Sequence, residues 1–248
     1  MDLTITTLAA RPELAEAIDE MPDAWPEFVL EDLVGWANFP RIAVEFPEYV
    51  LVATGPDGAV VARAYSVPFA LEAPGRGRLP VNGWDQVLLW AFSDLRHGRT
   101  PDTVSAIEIA VAEGHLGRGI SGRMVAAMRE NAGRLGFGEL VAPLRPSAKH
   151  TEPSVPMEEY ARRTREEDGL PVDPWLRVHV RAGGVIEAVA PTSMTVSGSL
   201  AQWRAWTGLP FDTEGPVAVP GALVPVHCST EHGYAVYVEP NVWVRHRV

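Results

Sequence analysis

Residues 107–128 read IEIAVAEGHLGRGISGRMVAAM, and the organisation of the chain follows from this stretch. Its first third is apolar and β-branched, and with the preceding TVSA it predicts a buried strand over residues 103–112. Gly114, Gly117 and Gly119 then interrupt the pattern. Beyond them Ile120, Met124, Ala127, Met128 and Leu135 recur at helical spacings, which predicts a helix closing at Gly136. A helix that begins directly after a glycine loop offers unpaired N–H groups carrying positive partial charge. Such an end can cradle a pyrophosphate if small residues let it approach. Two other phosphate motifs fail: no G-K-[ST] is present, and Arg123 stands near where a dinucleotide fingerprint has its third glycine.

Outward from this unit the chain is mixed α and β. Residues 3–8 alternate as a short strand, and Pro12 opens a helix with Leu14, Ala17, Ile18 and Met21 on one face. A second helical stretch follows Pro26 to about Trp36. Residues 49–54 and 59–66 form a hairpin across Gly55-Pro56-Asp57-Gly58, and 71–83 is a Gly-, Pro- and Arg-rich loop. After the central unit come a strand over 139–144, a charged Pro-rich segment to 172 with a short helix at 157–167, and a helix from Asp173-Pro174 to Gly183-Gly184. Strands at 185–189, 194–196 and 234–244 close the chain, with a helical Trp203/Trp206 patch between. No internal repeat or long linker divides it, so one domain over 1–248 is predicted.

Composition narrows the function. The 248 residues carry 21 basic and 32 acidic side chains, a net charge of −11, and residues 1–50 hold 11 acids against Arg11 and Arg41. Nucleic-acid binding needs a basic face and is excluded as the main activity. The single Cys228 allows no internal disulfide, and no 18-residue apolar run or signal-like N-terminus occurs. A cytoplasmic protein without a membrane partner is expected. All basic residues but Lys149 are Arg, which makes that one lysine conspicuous.

The strand end Ile109-Ala110-Val111 and the loop Leu116-Gly117-Arg118-Gly119-Ile120-Ser121 resemble the acyl-CoA motif of the GNAT superfamily of acyltransferases, [QR]-x-x-G-x-[GA]. Gly119 fits the pattern; Leu116 replaces the usual Gln or Arg, and Ser121 the small Gly or Ala. The element order also follows that family over residues 3–144 and 173–248, with an insertion at about 146–172 and a long loop at about 207–232. The resemblance implies an α+β fold: a mixed, largely antiparallel central sheet, splayed after the fourth strand and flanked by helices. It further implies that pantetheine lies along Ile109, Ala110 and Val111, with the pyrophosphate on the amides of Leu116 to Ser121.

Family roles then fall on particular residues. A tyrosine general acid often precedes a Gly-Phe pair by four residues. Here His179 stands in its place, before Gly183-Gly184. His179 is either a proton carrier or a structural histidine bonded to a carbonyl. Glu108 is a second acid–base candidate on the central strand, although strand parity turns it away from Ile109–Val111 pairing. Ser147 matches a position that often contacts the pantetheine arm. Arg145 and Lys149, beside His150, form a cationic cluster that would bind CoA phosphates or an acidic substrate group, or else a solvated loop. His227, Cys228 and His232 lack a metal-ligand pattern, and no metal is expected. Trp203, Trp206, Tyr237 and Trp243 read as core or cleft-wall aromatics.

The resemblance therefore predicts transfer of an acyl group, acetyl first, from acetyl-CoA or another acyl-CoA to the amine of a small molecule by direct attack. The alternatives are a GNAT-like decarboxylase or S-acyltransferase handling malonyl- or acyl-CoA with a carrier protein, and a non-catalytic acyl-CoA-binding module. The long C-terminal strand offers an edge for a homodimer.

Overall fold

The computed structural model describes residues 2–22 and 25–248. One sheet of nine strands runs in the order β1-β2-β3-β4-β5-β9-β8-β7, with β6 on the other flank of β9. The strands are β1 (Thr4–Thr7), β2 (Val50–Thr54), β3 (Val60–Phe69), β4 (Thr103–Val111), β5 (Glu139–Leu144), β6 (Val185–Ser199), β7 (Gly215–Val217), β8 (Val226–Ser229) and β9 (Tyr234–Arg247). Among the described residues only the β4–β5 pair is parallel. The expected mixed, mainly antiparallel sheet between helices is what the chain forms.

Nine α-helices flank it among the described residues: α1 (Ala15–Asp19), α2 (Glu27–Leu30), α3 (Leu33–Asn38), α4 (Ile42–Glu45), α5 (Gly83–His97), α6 (Ile120–Arg134), α7 (Met157–Tyr160), α8 (Pro174–Arg181) and α9 (Leu200–Thr207). One apolar cluster joins Ile18, Phe28, Val52, Val67, Leu88 and Trp203. A second packs Ala62, Val104, Met124, Met128, Leu140 and Leu176. None of the described helices is long and apolar enough to cross a membrane.

Several elements differ from the sequence reading. Helix α5 lies in a stretch that the pattern reading left unassigned. Its buried Trp84, Val87, Leu88, Ala91 and Phe92 repeat at helical spacing, and Gly98 closes it at φ +61°. Val87, Leu88 and Phe92 each contribute about 1.5–3 kcal/mol by leaving water. The helix expected over 157–167 stops at Tyr160; beyond it the backbone turns back on itself, with Val172 N donating to the Arg163 carbonyl, Arg165 N to the Leu170 carbonyl and Thr164 bridged to Pro171. The two strands expected at 185–189 and 194–196 are one strand, β6, whose pairing with β9 shifts register twice. The long loop at 207–232 contains the β7–β8 hairpin, so Cys228 is a buried strand residue. Trp203, Tyr237 and Trp243 are core: their polar atoms bond the Ala235 carbonyl, Glu239 and the Pro80 carbonyl respectively.

A buried carboxyl group underlies this core. Asp85, in the first turn of α5, accepts from the Thr195 amide at 3.2 Å and faces Asp32, the N-cap of α3. Burial, reinforced by Asp32, pushes its pKa up to about 8. A carboxyl protonated when folded and ionised when unfolded loses stability as pH rises from 3.8 to 8. Asp85→Asn should therefore raise the melting temperature at pH 8 and have little effect below pH 4. The gain at pH 8 is on the order of a few kcal/mol. Chemical denaturation of both proteins at pH 4, 6 and 8 measures it.

Candidate active site

The site begins where two neighbouring strands part. β4 pairs with β3 along its length but with β5 only at Val104↔Leu140 and Ser105↔Val141. On its outer edge β5 pairs with β9 along its whole length, from Glu139↔Arg247 to Leu144↔Val242. The backbone of β4 from Ala106 to Val111 is left without a strand on that side, and a cleft of about 470 Å³ opens there. Ile109, Ala110 and Val111 line it, so an extended ligand would meet an unpaired strand edge there.

At one end of the cleft lies the glycine loop. Leu116 is extended, Gly117 and Gly119 both adopt φ +73°, and Gly119 is the N-cap of α6. A Cβ on either glycine would meet no atom within 4 Å, so backbone conformation rather than space selects glycine there. No side chain caps α6 and no acid lies in its first turn, which leaves its leading amides open to an anion. Leu116 and Ser121 line the cleft, Arg118 is exposed, and Ile120 is buried and anchors the loop to the sheet.

Glu108 alternates with Ile109 and Val111, as parity expects, yet it lines the cleft, which borders every residue of β4 from Ala106 to Val111. Tyr65 pairs with Glu108 but Ser66 with Ala106, so Ile107 is an extra residue. Its carbonyl accepts from Trp84 Nε1 at 3.0 Å. Beyond the bulge the register is regular, with Glu108↔Tyr65 and Ala110↔Arg63, which sets Glu108 diagonally beside Arg63. Glu108 Oε2 accepts from Arg63 Nε and Oε1 from Trp25 Nε1, each at 2.9 Å. Arg63 also donates to the carbonyls of Ile18 and Met21, tying the N-terminal helices to the cleft wall.

His179 stands opposite, on α8. Asp173 caps that helix through the Trp175 and Leu176 amides. Its other oxygen accepts from the Ala148 amide and the Tyr160 hydroxyl. One carboxylate thus joins α8, the loop after β5 and the insertion. His179 is 1% exposed yet lines the cleft, with Trp175 edge-on at 4.5 Å between ring centroids. Burial, and then the neighbouring His246, depress its pKa to about 3. Its Nδ1 lies 2.9 Å from His246 Nε2, and its own Nε2 has no partner.

The cationic cluster is divided. Ser147, His150 and Arg145 line the cleft. Arg145 is neutralised by Glu239 at 3.0 Å and also donates to the Gly221 carbonyl. Lys149 does not line the cleft. It is fully buried, and Nζ donates to the carbonyls of Glu152 and Leu223 at 2.7 and 2.8 Å. This lysine straps the insertion to the 218–224 loop rather than facing a ligand, and burial lowers its pKa. Among the described residues no cluster could hold a metal ion.

Sequence reasoning missed Trp25, Pro26, Trp175, Gly221 and His246. Trp175 precedes His179 by four residues and so shares its helix face, a signal that was available. Trp25, Gly221 and His246 come from distant segments, and no local pattern marks them.

No family model matches the chain. A protein from Aspergillus versicolor named arginine N-acetyltransferase avaD is 33% identical, across 99% of this chain and 94% of the relative. Among solved structures, the loading GNATL domain of CurA from Lyngbya majuscula superposes with a TM-score of 0.60 at 16% identity, covering 99% of this chain and 96% of that one. The GphF GNAT-like decarboxylase in complex with isobutyryl-CoA reaches 0.55 at 14% identity, covering 100% of this chain and 99% of that one.

Proposed function

Because the chain belongs to the GNAT superfamily of acyl-CoA-dependent acyltransferases, we propose that it moves an acetyl group from acetyl-CoA to the amine of a small molecule. An amino acid is the favoured acceptor, arginine first, as the name of the Aspergillus relative suggests. The observation that carries this reading is the cleft between β4 and β5. It has an open, uncapped helix end at one mouth and an unpartnered histidine nitrogen in its wall.

In this reading the loop amides from Leu116 to Ser121 hold the pyrophosphate, and the free edge of β4 at Ile109–Val111 aligns the pantetheine. Ser147 contacts the same arm. His179 Nε2 takes the proton that the attacking amine sheds as the nitrogen–carbon bond forms. It returns that proton to sulfur as the carbon–sulfur bond breaks. The low pKa keeps the ring uncharged with a free lone pair at neutral pH and makes the protonated ring a ready donor to sulfur, at the cost of weaker basicity towards the amine. Glu108 keeps lone pairs beyond those used by Arg63 and Trp25, and these hold the acceptor's ammonium before it loses its proton.

In the alternative, decarboxylation or S-acyl transfer on malonyl- or acyl-CoA with a carrier protein, Arg145 and Lys149 would hold a malonyl carboxylate. Lys149 facing two carbonyls and Arg145 facing Glu239 weigh against it. Release of free thiol from acetyl-CoA in the presence of arginine, other amino acids and simple amines tests the reading. Arginine-dependent thiol release with a matching N-acetyl product by mass spectrometry is expected. Loss of carbon dioxide from malonyl-CoA with no amine acylated would overturn it.

A further inference from the structure

His246 lies in the penultimate pair of the β5–β9 ladder, opposite Leu140, and it is fully buried. A histidine with no access to water needs a reason at such a position. Its Nε2 is 2.9 Å from His179 Nδ1, with 52° between the ring planes. Gly184, just past α8, makes the approach possible. A Cβ there would come within 2.7 Å of His246 Cε1 and 2.8 Å of the His179 carbonyl.

Two neutral imidazoles can share only one proton along that line, and the position of this proton decides what His179 presents to the cleft. His246 Nδ1 is buried without a hydrogen-bond partner, so the far end of that ring does not fix the shared proton. If His179 is the base, its Nε2 must keep a lone pair, which puts the shared proton on His179 Nδ1 with His246 Nε2, at 2.9 Å, as its acceptor. Arg129, from α6, donates to the carbonyls of Ala182 and Arg247 and places its positive charge near His246, which opposes a cationic pair. His179 then donates from Nδ1 and keeps a lone pair on Nε2.

We propose that His246 is the positioning residue of the reaction: it accepts the Nδ1 proton of His179 and so presents His179 Nε2 to the cleft as a bare base. Without that acceptor His179 is free to adopt the other tautomer, whose Nε2–H cannot take a proton from an amine. This proposal rests on the reading of His179 as the proton carrier, and it extends that reading to a residue 67 positions away.

The test uses the full chain with two substitutions. His246→Gln can place an acceptor oxygen near the position of Nε2, whereas His246→Leu places none. For His246→Leu, kcat should fall about 10–100-fold with KM for acetyl-CoA unchanged. His246→Gln should recover most of the loss at a similar melting temperature. Nitrogen NMR of histidine-labelled protein reads the tautomer directly and needs no turnover. Wild type should show His179 Nε2 unprotonated, and His246→Leu should show a proton there. A protonated Nε2 in wild type, or loss of kcat in both variants in proportion to lost stability, overturns the proposal. If no amine is acylated at all, the reaction assignment fails, while the NMR result still decides the role of His246.

Discussion

Gly119→Glu is expected to abolish acyl-CoA binding. The residue is the N-cap of α6 at φ +73°, and a side chain in that left-handed conformation costs about 1–2 kcal/mol. Nothing stands within 4 Å of a Cβ built there, so the protein can accommodate the side chain and the fold should survive. The larger effect is electrostatic. A carboxylate at the helix end opposes the anion those amides are placed to receive. By calorimetry, affinity for acetyl-CoA should drop more than about 100-fold, while Gly119→Ala, which bears only the backbone strain, should lose about tenfold. Gly136→Ala, at φ +90° beyond the far end of α6, separates backbone strain from the anion effect and should leave affinity unchanged. Equal affinity for wild type and Gly119→Glu would remove the pyrophosphate site from this loop.

His179→Ala should separate binding from turnover. The ring forms part of the cleft wall, but the loop amides and the edge of β4 carry the nucleotide contacts in the proposed arrangement. Affinity for acetyl-CoA should stay within about twofold, while kcat falls about 10²–10⁴-fold, the usual worth of a positioned general base. The pH dependence carries a further signature. With its pKa near 3, His179 is uncharged from pH 5 to 9, so the acid limb of the wild-type kcat/KM profile should follow the acceptor amine and shift when the amine is changed. An acid limb near 6.5 that is independent of the acceptor would mean that His179 titrates as an ordinary solvated imidazole.

How much of this was legible depended on sequence distance. The glycine loop, β4 and α6 occupy 32 consecutive residues, from Thr103 to Arg134. Local rules suffice for such a run: a β-branched stretch, then glycines at positive φ, then an apolar repeat at spacings of three and four. The cap of α8 at Asp173-Pro174 was readable for the same reason, and with it the placement of His179 on a helix. Helix α5 carried an equally clear repeat and was readable in principle.

Residues whose role depends on a partner elsewhere were not legible in this way. Glu108 alternates with Ile109 and Val111 as the rule requires, but it borders the cleft because β5 leaves that edge of β4 open, which the alternation alone does not show. Lys149 looked like a ligand-binding cation because lysine is so rare in this chain. Its burial follows from two carbonyls, one of them at Leu223, 74 residues away. The cleft lies where β5, paired with β9 along its outer edge, diverges from β4 after two paired positions. Strand β9 also brings His246 to His179. Local spacing sets which elements form, because backbone hydrogen bonds and apolar periodicity act over a few residues. Which side chains share the cleft, and in which protonation state, is set by strand register and burial that arise only once the distant segments have packed.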